Sequence, residues 1–427
     1  MKPALSVGIA GLGTVGAGVV RLLRDNATPI AARAGRSIEV VAVSARDRKR
    51  DRGVALEGVR WHDDPVALVA DAAVDVVVEL IGGAEGAAYD VVMAALAAGK
   101  PVVTANKALI ATRGSAIAAF PNASLRFEAA VAGGIPVIKT LREGLAADRI
   151  ASVSGIFNGT CNYILSRMRA EKLDFATVLA DAQARGYAEA DPSFDIDGVD
   201  TAHKLAILAA IAFGRQVDFA SVHVEGIRGV NALDIAFAEE LGYRIKLLGI
   251  ARATAAGIET RVHPAMVPLT SPLAQVDGVN NAVVIQGDPV GQIVLQGRGA
   301  GAGPTASAVV ADLIDLARNR AAPLLGVETG SLQACASVPM AVHQGAYFLR
   351  LMVADQPGVI ADVTAVLRDH SISLESMLQH GRSPGDAVAV VLVTHVTHEA
   401  AMAAALARLA ALAAVREPPA LIRIETA

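Results

Sequence analysis

The sequence predicts an α/β chain in three units, and three observations predict it. In the first third, near-continuous apolar segments alternate with helical runs, the pattern of a parallel sheet covered on both faces. The middle mixes helices with alternating apolar patches, an α+β arrangement. The last stretch, 346–427, orders its elements β-α-β-β-α-β, which is ferredoxin-like. A length of 427 residues exceeds one ordinary core and fits two or three domains.

In the first unit, Leu5–Ala10 reads as a strand, followed by a glycine-rich turn and a helix to Arg24. Ile38–Val43, Val74–Leu80 and Pro101–Thr104 read as further strands, and Val91–Ala98 as a helix. The turn GIAGLGTVGAGVV places Gly11, Gly13 and Gly16 as G-x-G-x-x-G. The spacing alone is weak, but between a strand and a helix it predicts a dinucleotide site. Gly11 permits the tight turn, Gly13 the approach of a pyrophosphate, and Gly16 the packing of helix on strand. Free N–H groups at the helix start would face the phosphates. A glycine-rich turn without a ligand is the bland alternative.

The end of the second strand discriminates between cofactors. A carboxylate there would bind the ribose 2′-hydroxyl of NAD. This chain has VSARDRKR instead, with Arg46, Arg48, Lys49 and Arg50 beyond the strand. NADP(H) is therefore expected in preference to NAD(H), against the alternative of a solvated basic loop. Lys107, in TANKALIATRG, follows a strand end, where open sheets bind ligands. An ordinary surface lysine is the alternative there.

The middle unit reads as a strand Ile150–Phe157 and helices Asn162–Glu171, Phe175–Ala184 and Asp200–Phe213. Apolar patches at Val222–Ile227, Ile245–Ala251 and Val283–Val294 read as strands. The segment GRGAGAGPTASAVVADLIDLARN could return the chain to the first unit as a helix. In the third unit, Tyr347–Val353, Ser371–Gln379, Ala387–Val393 and Ala420–Ile424 read as strands, with helices Val359–Asp369 and Glu399–Leu412.

Composition excludes several classes. Hydrophobic residues at 53% and charged residues at 19% exclude disorder. Lys plus Arg total 38 against 42 Asp plus Glu, a net charge of -4, with no electrostatic footprint for nucleic acid. Two distant cysteines, Cys161 and Cys335, argue against a disulfide framework and fit a reducing cytoplasm. The N-terminus lacks the long apolar region and cleavage site of a signal peptide. Leu205–Phe213 is too short to cross a membrane and reads as a buried core helix, so no membrane partner is expected.

Between Glu189 and Lys204 the chain carries Glu189, Asp191, Asp195, Asp197 and Asp200. Asp200 and Lys204 are spaced i to i+4 and share a helix face, with Asp200 at the positive helix start. The following turns are apolar, so this polar first turn would line a cavity above a core helix, and a lysine held by a carboxylate can donate a proton. A solvated surface loop and a metal site remain alternatives. The metal reading is the weaker of the two, because DIDG resembles a fragment of a calcium loop but lacks its full spacing and terminal glutamate.

Several motifs resemble the homoserine dehydrogenase family over nearly the whole chain. They are AQARGYAEADPSFDIDGVDTAHK (182–204), TANKALIA, FEAAVAGGIPVIK (127–139) and GIFNGTCNYIL (155–165). The resemblance implies reduction of L-aspartate 4-semialdehyde to L-homoserine by NAD(P)H. It assigns Lys204 as proton donor, Lys107 to the substrate and cofactor, and Asp200 to positioning them. Glu189 would hold the substrate amino group, with Asp195, Gly159 and Thr160 as further substrate contacts. Gly11, Gly13, Thr14, Val15, Gly16, Arg46, Thr104, Lys107 and Gly303 would contact the cofactor. A sodium or potassium ion would lie on the Glu128 carboxylate and backbone oxygens of Val131, Gly133 and Ile135. Asp191 and Asp197 are left as structural acids, and His203 as a core histidine.

The implied architecture is a Rossmann domain at 1–137, completed by about 303–320, and a catalytic and dimerisation domain at 138–330. ADQPGVIADVTAVLRDHSISLESM (354–377) resembles an ACT domain, placed at 346–427. There Asp355 and Gly358 would contact a bound amino acid, threonine by analogy, although such a module can also only dimerise. A homodimer or homotetramer fits the family, and no fused aspartate kinase module is expected. The basic residues after the second strand are shifted slightly from the family's arginine position. The nearest rival, aspartate-semialdehyde dehydrogenase, needs a thiolate, for which Cys161 has no histidine near in sequence. A non-catalytic amino-acid sensor is the rival outside enzymes.

Overall fold

The computed structural model describes residues 2–121, 123–320, 322–334, 337–381 and 386–425; Cys335 lies outside them. The first sheet has strands β1 (Leu5–Ala10), β2 (Ile38–Ser44), β3 (Arg60–His62), β4 (Val76–Glu79), β5 (Val102–Thr104) and β6 (Leu125–Arg126). They run parallel in the order β3-β2-β1-β4-β5-β6, the doubly wound Rossmann arrangement. The order reverses between β1 and β4, so the crevice at their carboxyl ends is where a ligand is expected.

The helix Ala302–Ala317 packs on the helix Thr14–Asp25 of this first sheet. Ala306, Val309 and Leu313 share a core with Val19, Val20 and Leu23. Gly18 makes the approach possible, since a Cβ there would meet the Ala302 carbonyl oxygen at 2.9 Å. The chain thus leaves the nucleotide unit and later returns a helix to it.

The second unit contributes β7 (Arg149–Ile156), β8 (His223–Val224), β9 (Tyr243–Thr254), β10 (Gly257–Pro268), β11 (Asn280–Asp288) and β12 (Gly291–Arg298). The helix Val199–Phe213 lies against β7, β9 and β10 and against the helix Lys107–Ala118 of the first unit. Every residue from Asp200 to Ile211 is buried, as expected of a helix that is apolar on all sides after its first turns.

The third unit is β13 (Gln344–Ala354), β14 (Leu374–Gln379), β15 (Ala387–Thr394), β16 (Thr397–His398) and β17 (Ala420–Ile424), with helices Val359–Asp369 and Glu399–Ala410. β17 pairs with β13 on one side and, in parallel, with β10 on the other. The second and third units therefore share one eleven-stranded sheet.

Ion pairs reinforce that junction. Arg423 on β17 donates to Glu225 at 2.8 and 2.9 Å and from Nε to Glu399 at 2.9 Å. The Tyr347 hydroxyl donates to Glu399 at 2.7 Å. Arg261 on β10 donates to Glu425 at 2.8 and 3.0 Å, and Arg350 on β13 to Asp234 at 2.6 Å. Burial pushes the Glu225 and Glu399 carboxyls up, but the hydrogen bonds outweigh it and hold both below their ordinary range.

Some elements depart from the sequence reading. The patch Val283–Val294 is two strands, β11 and β12, forming a hairpin across 288–291. The patterns do not predict β3, whose Arg60-Trp61-His62 is polar and only partly covered, because it is a short edge strand. They also miss β6, β10 and the helices Ala27–Ala34, Pro65–Ala70 and Ala232–Glu240. Ser371–Gln379 shortens to Leu374–Gln379 because Ser371 takes a left-handed backbone, φ +58°, after the preceding helix. No helix among the described residues is long and apolar enough to cross a membrane.

Arg423→Ala should destabilise the protein by about 3 kcal/mol, because Glu399 is left buried without its counter-charge while Glu225 keeps water. Thermal and urea unfolding at several pH values check this. With folded pKa values below the unfolded 4.5, the wild-type junction contributes above pH 4.5 and loses that contribution as pH falls through the lower folded values. The variant should therefore show a shallower loss of stability on acidification.

Candidate active site

The glycine-rich turn leads from β1 into the helix Thr14–Asp25, with Gly13 at its N-cap and Thr14 and Val15 in its first turn. Gly11 has φ +101°, and a Cβ there would meet the Leu80 carbonyl at 2.5 Å. A Cβ on Gly13 would meet nothing within 4 Å, so Gly13 borders open space. Gly16 lies against the Gly11 carbonyl, where a Cβ would not fit. A cleft of about 260 Å³ opens here, lined by Gly13, Thr14, Arg21, Arg50, Arg52 and Ala302 among others. Gly303 is exposed in the first turn of the returning helix, so two helix N-termini converge on the cleft.

The basic side chains at the cleft are Arg21, Arg50 and Arg52. Arg46 is exposed at the end of β2, outside the cleft lining. Arg52, which sequence reasoning passed over, donates from Nε to the Leu12 carbonyl at 2.8 Å and stacks its guanidinium 5.3 Å from the Trp61 ring. Its partner Trp61 sits on the unpredicted β3, which is why the sequence pattern did not single it out.

At the carboxyl end of β4, Glu79 is fully buried. It accepts from the backbone N–H groups of Ile81 and Gly82 at 2.7 and 3.0 Å and from the Thr104 hydroxyl at 2.6 Å. Thr104 Oγ1 accepts from Asn106 N at 2.9 Å, and Asn106 caps the helix Lys107–Ala118 by accepting from Leu109 N at 3.1 Å. Thr104 is thus a link in the chain that fixes Lys107 at the first position of its helix. Glu79 was not anticipated; an acid closing an otherwise apolar strand is the signal for it.

Lys107 and Lys204 meet at Asp200. Lys107 Nζ lies 2.8 Å from Asp200 Oδ1, and Lys204 Nζ lies 2.7 Å from Oδ2. Lys204 also donates to the Phe157 carbonyl at 2.6 Å. Asp200 and Lys204 are 2% and 8% exposed, whereas the Lys107 side chain is 35% exposed and faces the Phe194 ring at 5.5 Å. Burial pushes the Asp200 carboxyl up, but Lys204 and Lys107 outweigh it and hold it well below the usual carboxylate range. Burial pulls Lys204 below its ordinary value more strongly than Asp200 lifts it.

The rest of the acidic run divides. Asp195 Oδ1 accepts from Asn158 Nδ2 at 2.8 Å, beside Asp200. Glu189 lies on an exposed loop, its carbonyl accepting from Gln183 at 3.1 Å. That loop is tied to the helix Gly159–Glu171 by Thr160, whose hydroxyl donates to the Tyr187 carbonyl at 2.8 Å. Gly159 opens the helix, pressed on the Val279 carbonyl. Asp191 accepts from Ser193 N at 3.1 Å, and Asp197 pairs with Arg228. His203 lies edge-on to Phe194 and Phe219, and burial lowers its pKa. Among the described residues no cluster of His, Cys, Asp or Glu suits a metal ion. Cys161 is fully buried, and burial followed by the nearby Asp195 and Asp200 raises its thiol well above the ordinary value, so it is a poor thiolate nucleophile.

Glu128 is buried and accepts from Ile138 N and Lys139 N at 2.9 and 2.8 Å. Burial, followed by Asp312, raises its pKa to about 7. The neighbouring loop turns through two left-handed residues, Ala132 and Gly133, at φ +55° and +58°. Val131, Gly133 and Ile135 are all buried, and the Ile135 carbonyl accepts from Val137 N at 2.8 Å. In the third unit, Asp355 N donates to the Asp386 carbonyl at 3.3 Å, and Gly358, at φ +95°, caps the helix Val359–Asp369.

Comparison with known proteins bears on this geometry. Residues 136–314 match the family model described as homoserine dehydrogenase, 11–126 match its NAD-binding domain, and 347–414 match the ACT domain. A homoserine dehydrogenase of Neisseria gonorrhoeae is 47% identical over 437 residues, covering 100% of this chain and 99% of the relative. The crystal structure of a homoserine dehydrogenase from Thiobacillus denitrificans matches with a TM-score of 0.94 at 48% identity, covering 100% of this chain and 99% of the other. A hyperthermophilic archaeal homoserine dehydrogenase in complex with NADPH matches with a TM-score of 0.64 at 26% identity, covering 75% and 99%.

Two glycine substitutions should separate fold from binding. Gly13→Val should fold normally and weaken NADPH binding at least about tenfold, because its side chain enters the space a pyrophosphate needs. Gly11→Ala should lower the melting temperature, because its Cβ meets the Leu80 backbone in a left-handed conformation. Cofactor fluorescence titration and thermal unfolding of both variants check the contrast.

Proposed function

Because this chain belongs to the homoserine dehydrogenase family, we propose that it reduces L-aspartate 4-semialdehyde to L-homoserine with NADPH, in threonine, methionine and isoleucine biosynthesis. It is an NAD(P)-dependent oxidoreductase. The observation that carries the reading is Asp200 held between Lys107, from the nucleotide unit, and Lys204, from the buried helix. Hydride transfer to the aldehyde carbon puts negative charge on its oxygen. An ammonium has three N–H donors, and Lys204 commits two, to Asp200 and Phe157. The third is free for the substrate oxygen, and the lowered pKa brings Lys204 closer to the range of an effective proton donor. Lys107 adds a second cation at the same carboxylate and supports the developing charge.

In this reading Glu189 and Asp195 receive the substrate amino group, and the helix start at Gly159 and Thr160 suits its carboxylate. Arg50 and Arg52 beside the pyrophosphate cleft support NADPH over NADH, as does the archaeal relative's complex. A sodium or potassium ion on Glu128 and the carbonyls of Val131, Gly133 and Ile135 would supply charge to a buried carboxylate that its surroundings hold partly protonated. The ACT domain suits an amino-acid effector, and threonine, the downstream product, is the proposed inhibitor, acting near Asp355 and Gly358. The continuous sheet through β17 and β10 is a physical route from that module to the active-site unit. A cytoplasmic homodimer or homotetramer completes the reading.

NADPH oxidation with aspartate 4-semialdehyde tests it. Lys204→Ala should lower kcat by about 10²–10⁴-fold while still binding NADPH. Retained turnover would remove Lys204 from the proton transfer. Poorer turnover with NADH, and inhibition by added threonine, are expected in the same assay. The rate should also depend on protonated Lys204. Its pKa lies below 10.5, so kcat should fall with rising pH through a midpoint below 10.5. Asp200→Asn removes the charge that lifts Lys204 and should move that midpoint to lower pH; an unmoved midpoint would assign the titration to another group.

A further inference from the structure

The proton-transfer scheme leaves unused the asparagine between Phe157 and Gly159. Asn158 is 5% exposed, and its side chain has an acceptor and two N–H donors. Its Oδ1 accepts from Cys161 N at 2.8 Å, capping the helix Gly159–Glu171. The cap fixes which end of the amide is oxygen, so the nitrogen must face the other way. There Nδ2 donates to Asp195 Oδ1 and to Asp200 Oδ2, both at 2.8 Å. Each amide hydrogen thus serves one carboxylate. The preceding carbonyl, Phe157 O, holds Lys204.

Two carboxylates brought this close repel unless a donor stands between them. A cationic donor would compete with Lys204 and Lys107 for Asp200, whereas a neutral amide satisfies both acids and leaves the lysine pairing intact. We propose that Asn158 is a positioning residue for the reduction, its amide bridging Asp195 to Asp200 and so locking the acid that orients the lysines to the acid that meets the substrate. This rests on the reading of Lys204 as proton donor. One uncharged side chain then sets both proton delivery and substrate binding.

Asn158→Asp tests the bridge. It keeps size and a helix cap but replaces both donors with a third carboxylate facing Asp195 and Asp200. Asn158→Ser also keeps a cap but is too short to reach both acids, and it stands in should the aspartate variant not fold. Full kinetics with aspartate 4-semialdehyde, NADPH titration and thermal unfolding are measured for both. Asn158→Asp is expected to lower kcat about 10²-fold, to raise the KM for the aldehyde and to lower the melting temperature through the added buried carboxylate, with NADPH affinity near wild type. Asn158→Ser should show the same paired changes, smaller in size. Wild-type kcat and KM in either folded variant would overturn the proposal. So would a loss of NADPH affinity that accounts for the whole kinetic change, since that is a disturbed helix start and nothing more. Lys204→Ala, assayed in parallel, isolates the underlying reading. If it stays active, the proton-donor assignment fails, and the KM of the Asn158 variants still scores the bridge. If it is inactive while Asn158→Asp behaves as wild type, the bridge alone fails.

Discussion

One buried carboxylate organises this molecule. Asp200 is almost without solvent, and an isolated charge there would be prohibitive. It is held ionised because two ammonium groups and an amide reach it from different elements. Lys204 comes from one turn further along the same helix, Asn158 from the end of β7, and Lys107 from the nucleotide unit. Two of these partners belong to the same unit as Asp200, and docking of the nucleotide unit adds the third.

Each of those partners is itself fixed by surrounding scaffolding. Lys107 starts its helix because Asn106 caps it and Thr104 and Glu79 anchor that cap. Lys204 is aimed by a backbone carbonyl and by a helix apolar on every side beyond its first turns. Gly198, at φ +86°, lets the chain enter that helix where a side chain would crowd Val224 and Val262. Small residues, amides and the buried Glu79 thus hold Lys107 and Lys204 in place.

The sequence showed the charged part of this arrangement more readily than the neutral part. The glycine spacing between a strand and a helix, and the i to i+4 pair Asp200 and Lys204, are local patterns, and local patterns survive in one dimension. The meeting of Lys107 with Asp200 joins residues far apart in the chain and was reached only through family resemblance. Asn158 and Glu79 were missed because a capping asparagine and a strand-ending acid are common, and only tertiary neighbours make them specific. Arg52 was passed over for Arg46 because the basic run does not reveal which member folds back on the Leu12 carbonyl. The short edge strand β3, which supplies Trp61 beneath Arg52, has too few residues for a periodic signal.

The same logic governs the third unit. A small regulatory module on a flexible tether could bind an amino acid without the active site responding, since a ligand shifts only an equilibrium in which its own states differ. Here the module is not tethered in that way. Its last strand is hydrogen-bonded into the catalytic sheet beside β10, and Arg423 on that strand is clamped by Glu225 from one unit and Glu399 from the other. β10 also borders the helix that carries Asp200 and Lys204. A displacement of β17 must either strain β10 or break buried ion pairs, and packed interiors respond to such strain by switching between discrete arrangements rather than by bending. If the module binds an effector as proposed, coupling to Lys204 needs no long wire, only one shared strand pair and one helix lying against it.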